Sequence, residues 1–287
     1  MNVRQRPAIP KEVKREVRQR CGFGCVICGI PLCEYEHMLE WAAVRRHVAS
    51  EITLLCPQHH AEKSRGLLPI EDVIKANETP YNLQKGVAKN HFFHYSGNNV
   101  QVILGDNIFR YYNLKQDSFF APLVVDGLAI VGFRVEDDKL LLNFTAFDEL
   151  NIPFFQIVDN ELIHKTSLWD VEWSGQKLTI REGKGRILLQ LVFEVPTTIR
   201  ITKGRILRNG IELIIGKNYI FCSNENAFLS GTDTTNFPVG LSIGDPVLDV
   251  QTGAISSGVL RYGIDRVAAR KLLRKRLNEM HPKNSSL

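Results

Sequence analysis

Five of the six cysteines in this 287-residue chain fall within residues 21–56: Cys21, Cys25, Cys28, Cys33 and Cys56, with Cys222 standing alone. Two spacings in that cluster constrain the fold more than any other feature. Cys25-Val-Ile-Cys28 is a C-x2-C knuckle followed by Gly29, and Cys56-Pro-Gln-His59 repeats the x2 spacing after 27 intervening residues. A tight turn aims both thiolates of a knuckle the same way, and one knuckle needs a second pair to complete a tetrahedral shell. Cys25, Cys28, Cys56 and His59 therefore predict a Cys3His zinc site. The alternative is a set of buried free cysteines beside a surface histidine. With all four positions filled by protein the zinc would be structural, stapling a segment too short to build its own core. Disulfides are the poorer reading, because the N-terminal stretch MNVRQRPAIPKEVKREVRQR is basic and lacks the apolar run of a secretory signal. A cytoplasmic protein is the expectation, and no apolar run reaches the length of a membrane span.

Chemistry must then come from residues between and beside the ligands. Glu34-Tyr35-Glu36-His37 lies between the two pairs, and His60 adjoins the second. Residues 52–56 (ITLLC) read as a strand, 32–38 as its partner, and Pro57 opens a helix through Arg65. In such a hairpin-plus-helix, His37 ends the first strand and His60 sits on the first helical turn. Glu36, His37 and His60 would then share a cleft, hold a divalent cation and activate a water. Arg45 and Arg46, in the loop between the strands, could reach a phosphate and position a duplex without reading its sequence. His47, in the same loop, supports the site residues from behind, meets the substrate, or is a plain surface histidine.

The ordered set CVICG…EYEHM…ITLLCPQHHAEK is similar to the HNH endonucleases, the ββα-metal nuclease family, over about residues 21–68. The resemblance implies metal-dependent hydrolysis of DNA phosphodiesters, with double-stranded DNA as partner. It makes His37 the general base, Glu36 and His60 the ligands of a catalytic magnesium or manganese ion, and Lys63 a phosphate contact or a brace of the site. One departure matters. Where the family usually carries Asn, this chain has Glu51, which can accept a proton from an imidazole and raise its basicity. A non-catalytic zinc-containing DNA-binding module is the rival reading, and a partner-binding scaffold with a degenerate nuclease site is another.

The rest of the chain sets the frame. Residues 10–21 predict a helix with Val13 and Val17 on one face, while Lys14 and Arg18 on the others are either solvated or contact DNA. From about residue 98 the texture changes to short runs rich in β-branched and aromatic residues, separated by turn signals such as VDNE, WSGQ and RNG. The fold class expected is α+β. A zinc-stapled ββα domain with its basic helix spans 1–85, a linker 86–97, and an all-β domain 98–223. That domain is a hairpin meander or sandwich, with a β-solenoid as the alternative. An irregular segment follows over 224–262, then a basic helix over 263–281. Residues 1–90 carry 14 Lys and Arg against 10 Asp and Glu, 91–260 carry 14 against 19, and 261–287 carry 8 against 2. Basic ends around an acidic middle point to a polyanionic partner at the ends. By family analogy, the β domain would sense, target or oligomerise, as in restriction or phage defence.

Overall fold

The computed structural model describes residues 7–39, 41–137, 139–245, 250–256 and 259. The helix expected over 263–281 lies outside them. The described chain is α+β, mostly strand, and divides into two compact units: residues 1–92 with 162–186, and residues 93–161 with 187–287.

The first unit opens with α1 (Lys11–Arg20), entered from Pro10 and left through Gly22 at φ +65°. Strands β1 (Glu34–His37) and β2 (Ile52–Leu55) pair antiparallel, Glu34 opposite Leu55 and His37 opposite Ile52. The loop between them holds α2 (Trp41–Val44) and a 3-10 turn at Ala49–Glu51. Pro57 starts α3 (Pro57–Ser64), where its missing N–H costs nothing, and α4 (Ile70–Glu78) follows. Last comes α5 (Tyr81–Lys85), which ends on a left-handed Gly86. The core is small: Val17, Cys21, Cys25, Val26, Ile52, Leu54, Leu55, Cys56 and Val73 are buried together.

Residues 162–186 join this unit, although the sequence reading places them in the β domain. They form a hairpin of β3 (Asp170–Ser174) and β4 (Lys177–Gly183). Gln19 donates from Nε2 to the Trp169 carbonyl, and Arg15 lies 5.0 Å over the Trp169 ring. Asp170 and Glu172, two apart, occupy one face of β3, where both meet Arg18 and Arg181. The stretch expected as a linker is structured as well. The Phe92/Phe93 peptide is the unit boundary, and Val87 bridges antiparallel to Lys165.

The second unit is two sheets closed on an aromatic core. One runs in the order Thr252–Ser256, Val239–Ile243, Phe119–Val125, Leu128–Glu136, Lys139–Phe147, Pro153–Val158. The other contains Thr198–Arg208 paired antiparallel with Ile211–Gly216 and parallel with Val100–Leu104. Two-residue turns join the hairpins: Asp126-Gly127 and Asn209-Gly210 both carry positive φ at both positions, the geometry that matches strand twist. Tyr111 stacks on Phe120 across the facing sheets at 4.2 Å, and a Cβ on Gly240 would lie 2.4 Å from Phe109. The segment 224–262, expected to be irregular, carries four short strands in its described part. Three of them pair parallel to distant strands (Asp233–Thr235, Val239–Ile243) or to one another (Thr252–Ser256).

Candidate metal centre and adjoining polar site

The knuckle residues converge. Cys28 Sγ lies 3.7 Å from Cys56 Sγ, and His59 Nδ1 lies 3.2 Å from Cys56 Sγ and 3.4 Å from Cys25 Sγ. The four ligand atoms lie within 4.8 Å of one another, close enough to hold one metal ion. Two thiolates on a tetrahedral zinc at about 2.3 Å stand about 3.8 Å apart, so the sulfur separation fits that ion. His59 turns its other nitrogen toward Glu62, 4.0 Å away, as an orienting carboxylate would require. Burial, reinforced by neighbouring Cys25 and Cys56, pushes the Cys28 thiol up to about 12. Three thiolates crowded together without a cation repel, and a divalent ion removes that repulsion. Gly29 sits at φ +79°, and Asn82 donates to the carbonyls of Gly22 and Gly29 at 3.0 and 2.9 Å, fixing the knuckle from behind. Cys33 stays outside the group; burial raises its pKa and its thiol donates to the Ile30 carbonyl.

Strand alternation splits the acidic-His segment. Glu34 and Glu36 take one face of β1, Tyr35 and His37 the other. On the first face His60 Nε2 lies 3.1 Å from Glu36 Oε2, and His60 Nδ1 lies 3.7 Å from Glu34 Oε2. Lys63 donates to Glu36 Oε1 at 2.6 Å, with only 9% of its side chain exposed. Lys63, expected to approach a phosphate or to brace the site, thus holds a carboxylate. Glu34 was missed, although the period of two puts it beside Glu36.

On the other face His37 is 3% exposed. Its Nε2 lies 3.2 Å from the Arg46 carbonyl and 3.3 Å from His47 Nδ1, and Trp41 meets its ring edge-on at 5.1 Å. Glu51 pairs with Arg46. The Arg46 hydrogen bond and charge, with the charge of His37 added, hold the Glu51 carboxyl below its ordinary value. Glu51 therefore acts on His37 through its field, while its oxygens are engaged by Arg46.

The remaining expected DNA contacts divide. Arg45 is exposed, at φ +44°, and Lys14 lies 5.3 Å over the Tyr35 ring. Arg18 is buried. Its Nε and Nη2 donate to the two Asp170 oxygens, both at 2.8 Å, and its Nη1 donates to Tyr35 at 2.6 Å. Burial pulls the guanidinium down, but Asp170 and Tyr35 more than reverse this, so its pKa is raised. Arg18 is an internal tie between α1, β1 and β3, which is not a phosphate contact. Its partner stands 152 residues away, and no local signal could have found it.

Among the described residues, no helix is long and apolar enough to cross a membrane. No family model, no curated protein and no solved structure matches the chain.

Proposed function

We propose that the chain is a metal-dependent endonuclease of the HNH type acting on DNA, its first unit stapled by a structural zinc on Cys25, Cys28, Cys56 and His59. One observation carries the reading: Glu36 and His60 stand 3.1 Å apart on a ββα hairpin, while His37, the next residue along β1, lies on the opposite face and would have to turn toward the phosphate to act. A carboxylate oxygen and an imidazole nitrogen, both partly exposed, suit a hard divalent cation such as magnesium or manganese. Bound there, it would supply positive charge to a phosphate.

His37 then serves as base. A carbonyl only accepts, so the Arg46 oxygen accepts from His37 Nε2. One proton would pass to the imidazole from an attacking water. Its oxygen bonds to phosphorus, the P–O3′ bond breaks, and the 3′ oxygen is protonated from solvent. The Glu51 carboxylate favours the imidazolium that forms. Arg45 and Lys14 are the cations available to the backbone of the duplex. The β unit serves recognition, targeting or assembly.

A specific observation supports a second reading, a zinc-stapled DNA-binding module without catalysis. Lys63 already neutralises Glu36, and His37 is nearly covered. Supercoiled-plasmid cleavage separates the two. Cleavage with magnesium or manganese, lost in EDTA and in His37→Ala and Glu36→Gln proteins that retain zinc, is the expected result. DNA binding without cleavage by zinc-loaded wild type would favour the module.

A further inference from the structure

Helix α1 carries a cationic stripe that its own unit neutralises at one end only. At about 100° per residue, Lys11, Lys14, Arg15 and Arg18 fall within about 100° of one another. Val13 and Val17 turn to the core, and Glu12 and Glu16 take a separate strip. Arg18, at the far end, pairs with Asp170 and Glu172, and both of these also pair with Arg181. Two carboxylates there stand against two guanidiniums, which leaves no negative charge over for the cations nearer the start of the helix. Lys14 acts on Glu172 through its field alone. Among the described residues, no ion pair engages Lys11, Lys14 or Arg15.

Two of these three are nevertheless held in place. Lys14 Nζ lies 5.3 Å over the Tyr35 ring of β1, and Arg15 lies 5.0 Å over the Trp169 ring. A ring face attracts a cation and restricts it without cancelling its charge. Lys14 and Arg15 thus occupy the two edges of the stripe, and Lys11, exposed, stands between them one turn earlier. Cations that are positioned but unpaired lose less freedom when an anion arrives. The three span about 6 Å of helix axis, and each strand of a duplex carries one negative charge per about 3.4 Å. The spacing therefore suits consecutive phosphates of one strand.

We propose that this face of α1 is the surface on which the first unit holds a nucleic-acid backbone, with Lys11, Lys14 and Arg15 as phosphate contacts and Tyr35 and Trp169 as their seats. The proposal rests on the DNA reading above and deepens it. It gives residues 162–186 a part in binding through the Trp169 ring. It also replaces Arg18, whose charge is spent, by Arg15 one turn earlier. Contacts to phosphate position the chain without selecting a sequence.

The test is fluorescence anisotropy of full-length, zinc-loaded protein on a labelled duplex over a range of salt concentrations, with no magnesium or manganese added. Lys11→Gln/Lys14→Gln/Arg15→Gln should flatten the log–log salt dependence by about 2.7, at about 0.9 per phosphate contact. Lys11→Gln/Lys14→Gln, which leaves the Trp169 seat filled, should flatten it by about 1.8 and serves if the triple variant does not fold. Trp169→Leu keeps every charge and removes one seat, so affinity should fall about threefold with the slope unchanged. Unchanged affinity there would overturn the seating. A wild-type slope in the triple variant, with zinc content and thermal midpoint retained, would overturn the proposal and leave the DNA reading standing. Wild type that shows no salt-dependent binding of the duplex would remove both. Binding of phosphatidylserine vesicles but not of the duplex, lost in the triple variant, would assign the stripe to a membrane surface and overturn the proposal.

Discussion

His164 gives the folded state a pH dependence whose size follows from its surroundings. It is 2% exposed and packs against Phe23, ring centres 6.2 Å apart. Its Nδ1 donates to the Lys165 carbonyl at 3.4 Å, while Nε2 is buried and has no hydrogen-bond partner among the described residues. Protonating Nε2 would place an unpaired charge among apolar groups, so burial lowers the pKa from the ordinary 6.5 to about 4 despite the opposing Lys165 bond. The sign follows. Below pH 6.5 the unfolded chain binds the proton first, so stability is whole above 6.5 and is lost as pH falls toward 4. The full loss is about 3 kcal/mol, of which about 2 kcal/mol has gone by pH 5. Urea unfolding of wild type and His164→Phe at pH 7.5 and 5 measures it. The wild type should lose about 2 kcal/mol more than the variant over that interval. Equal losses would mean that His164 finds a partner for its second proton in the folded state, and the reasoning would fail.

The buried ion network is the next target. Asp170, 1% exposed, accepts from Arg18 twice and from Arg181 once, so Asp170→Ala should cost about 3–5 kcal/mol in chemical denaturation, with much of that recovered by adding Arg18→Met. Gly29→Ala combines a left-handed φ with a Cβ only 2.3 Å from Asn82 Oδ1, and a zinc-competition titration with a chromophoric chelator should show at least about tenfold weaker retention. Arg46 and Lys63 already hold Glu51 and Glu36. Removing Lys14 and Arg45 together should flatten the log–log salt dependence of DNA binding by about two, whereas Arg46→Ala should leave the slope unchanged.

What the sequence revealed tracks how local each determinant is. The Cys3His group was legible because two x2 spacings specify ligand direction within a turn each, and β1, β2 and α3 follow from the strands and Pro57 that hold them. The hairpin turns were legible for the same reason: Asn209-Gly210 and Asp159-Asn160 adopt the left-handed φ that their residue types favour. Residues 162–186 were assigned to the wrong neighbour because nothing in WDVEW announces that its carboxylates face a guanidinium in α1. Short strands such as Asp233–Thr235 were read as irregular because three residues of Asp and Thr form a strand only when a distant parallel partner is in place. Arg18 looked like a surface cation since helical periodicity distinguishes apolar from polar faces, not solvated charge from paired charge.

Redrawing the units also redraws the electrostatics. By sequence the chain reads as a basic, an acidic and a basic segment. By compact unit, residues 1–92 and 162–186 together hold 19 Lys and Arg against 13 Asp and Glu. Residues 162–186 thus bring two more positive than negative charges to the unit that carries the candidate metal ligands, even though Asp170 and Glu172 are spent on Arg18 and Arg181. Those internal pairs contribute little to attraction at a distance, because each presents a dipole rather than a charge. The excess belongs instead to exposed residues such as Arg45, Arg65 and Lys85. A polyanion approaching this unit meets a net positive field whose internal ties are already satisfied. A polyanion would therefore not have to break the Arg18–Asp170 bridge to bind, and on the proposed reading stability and nucleic-acid affinity would rest on different cations.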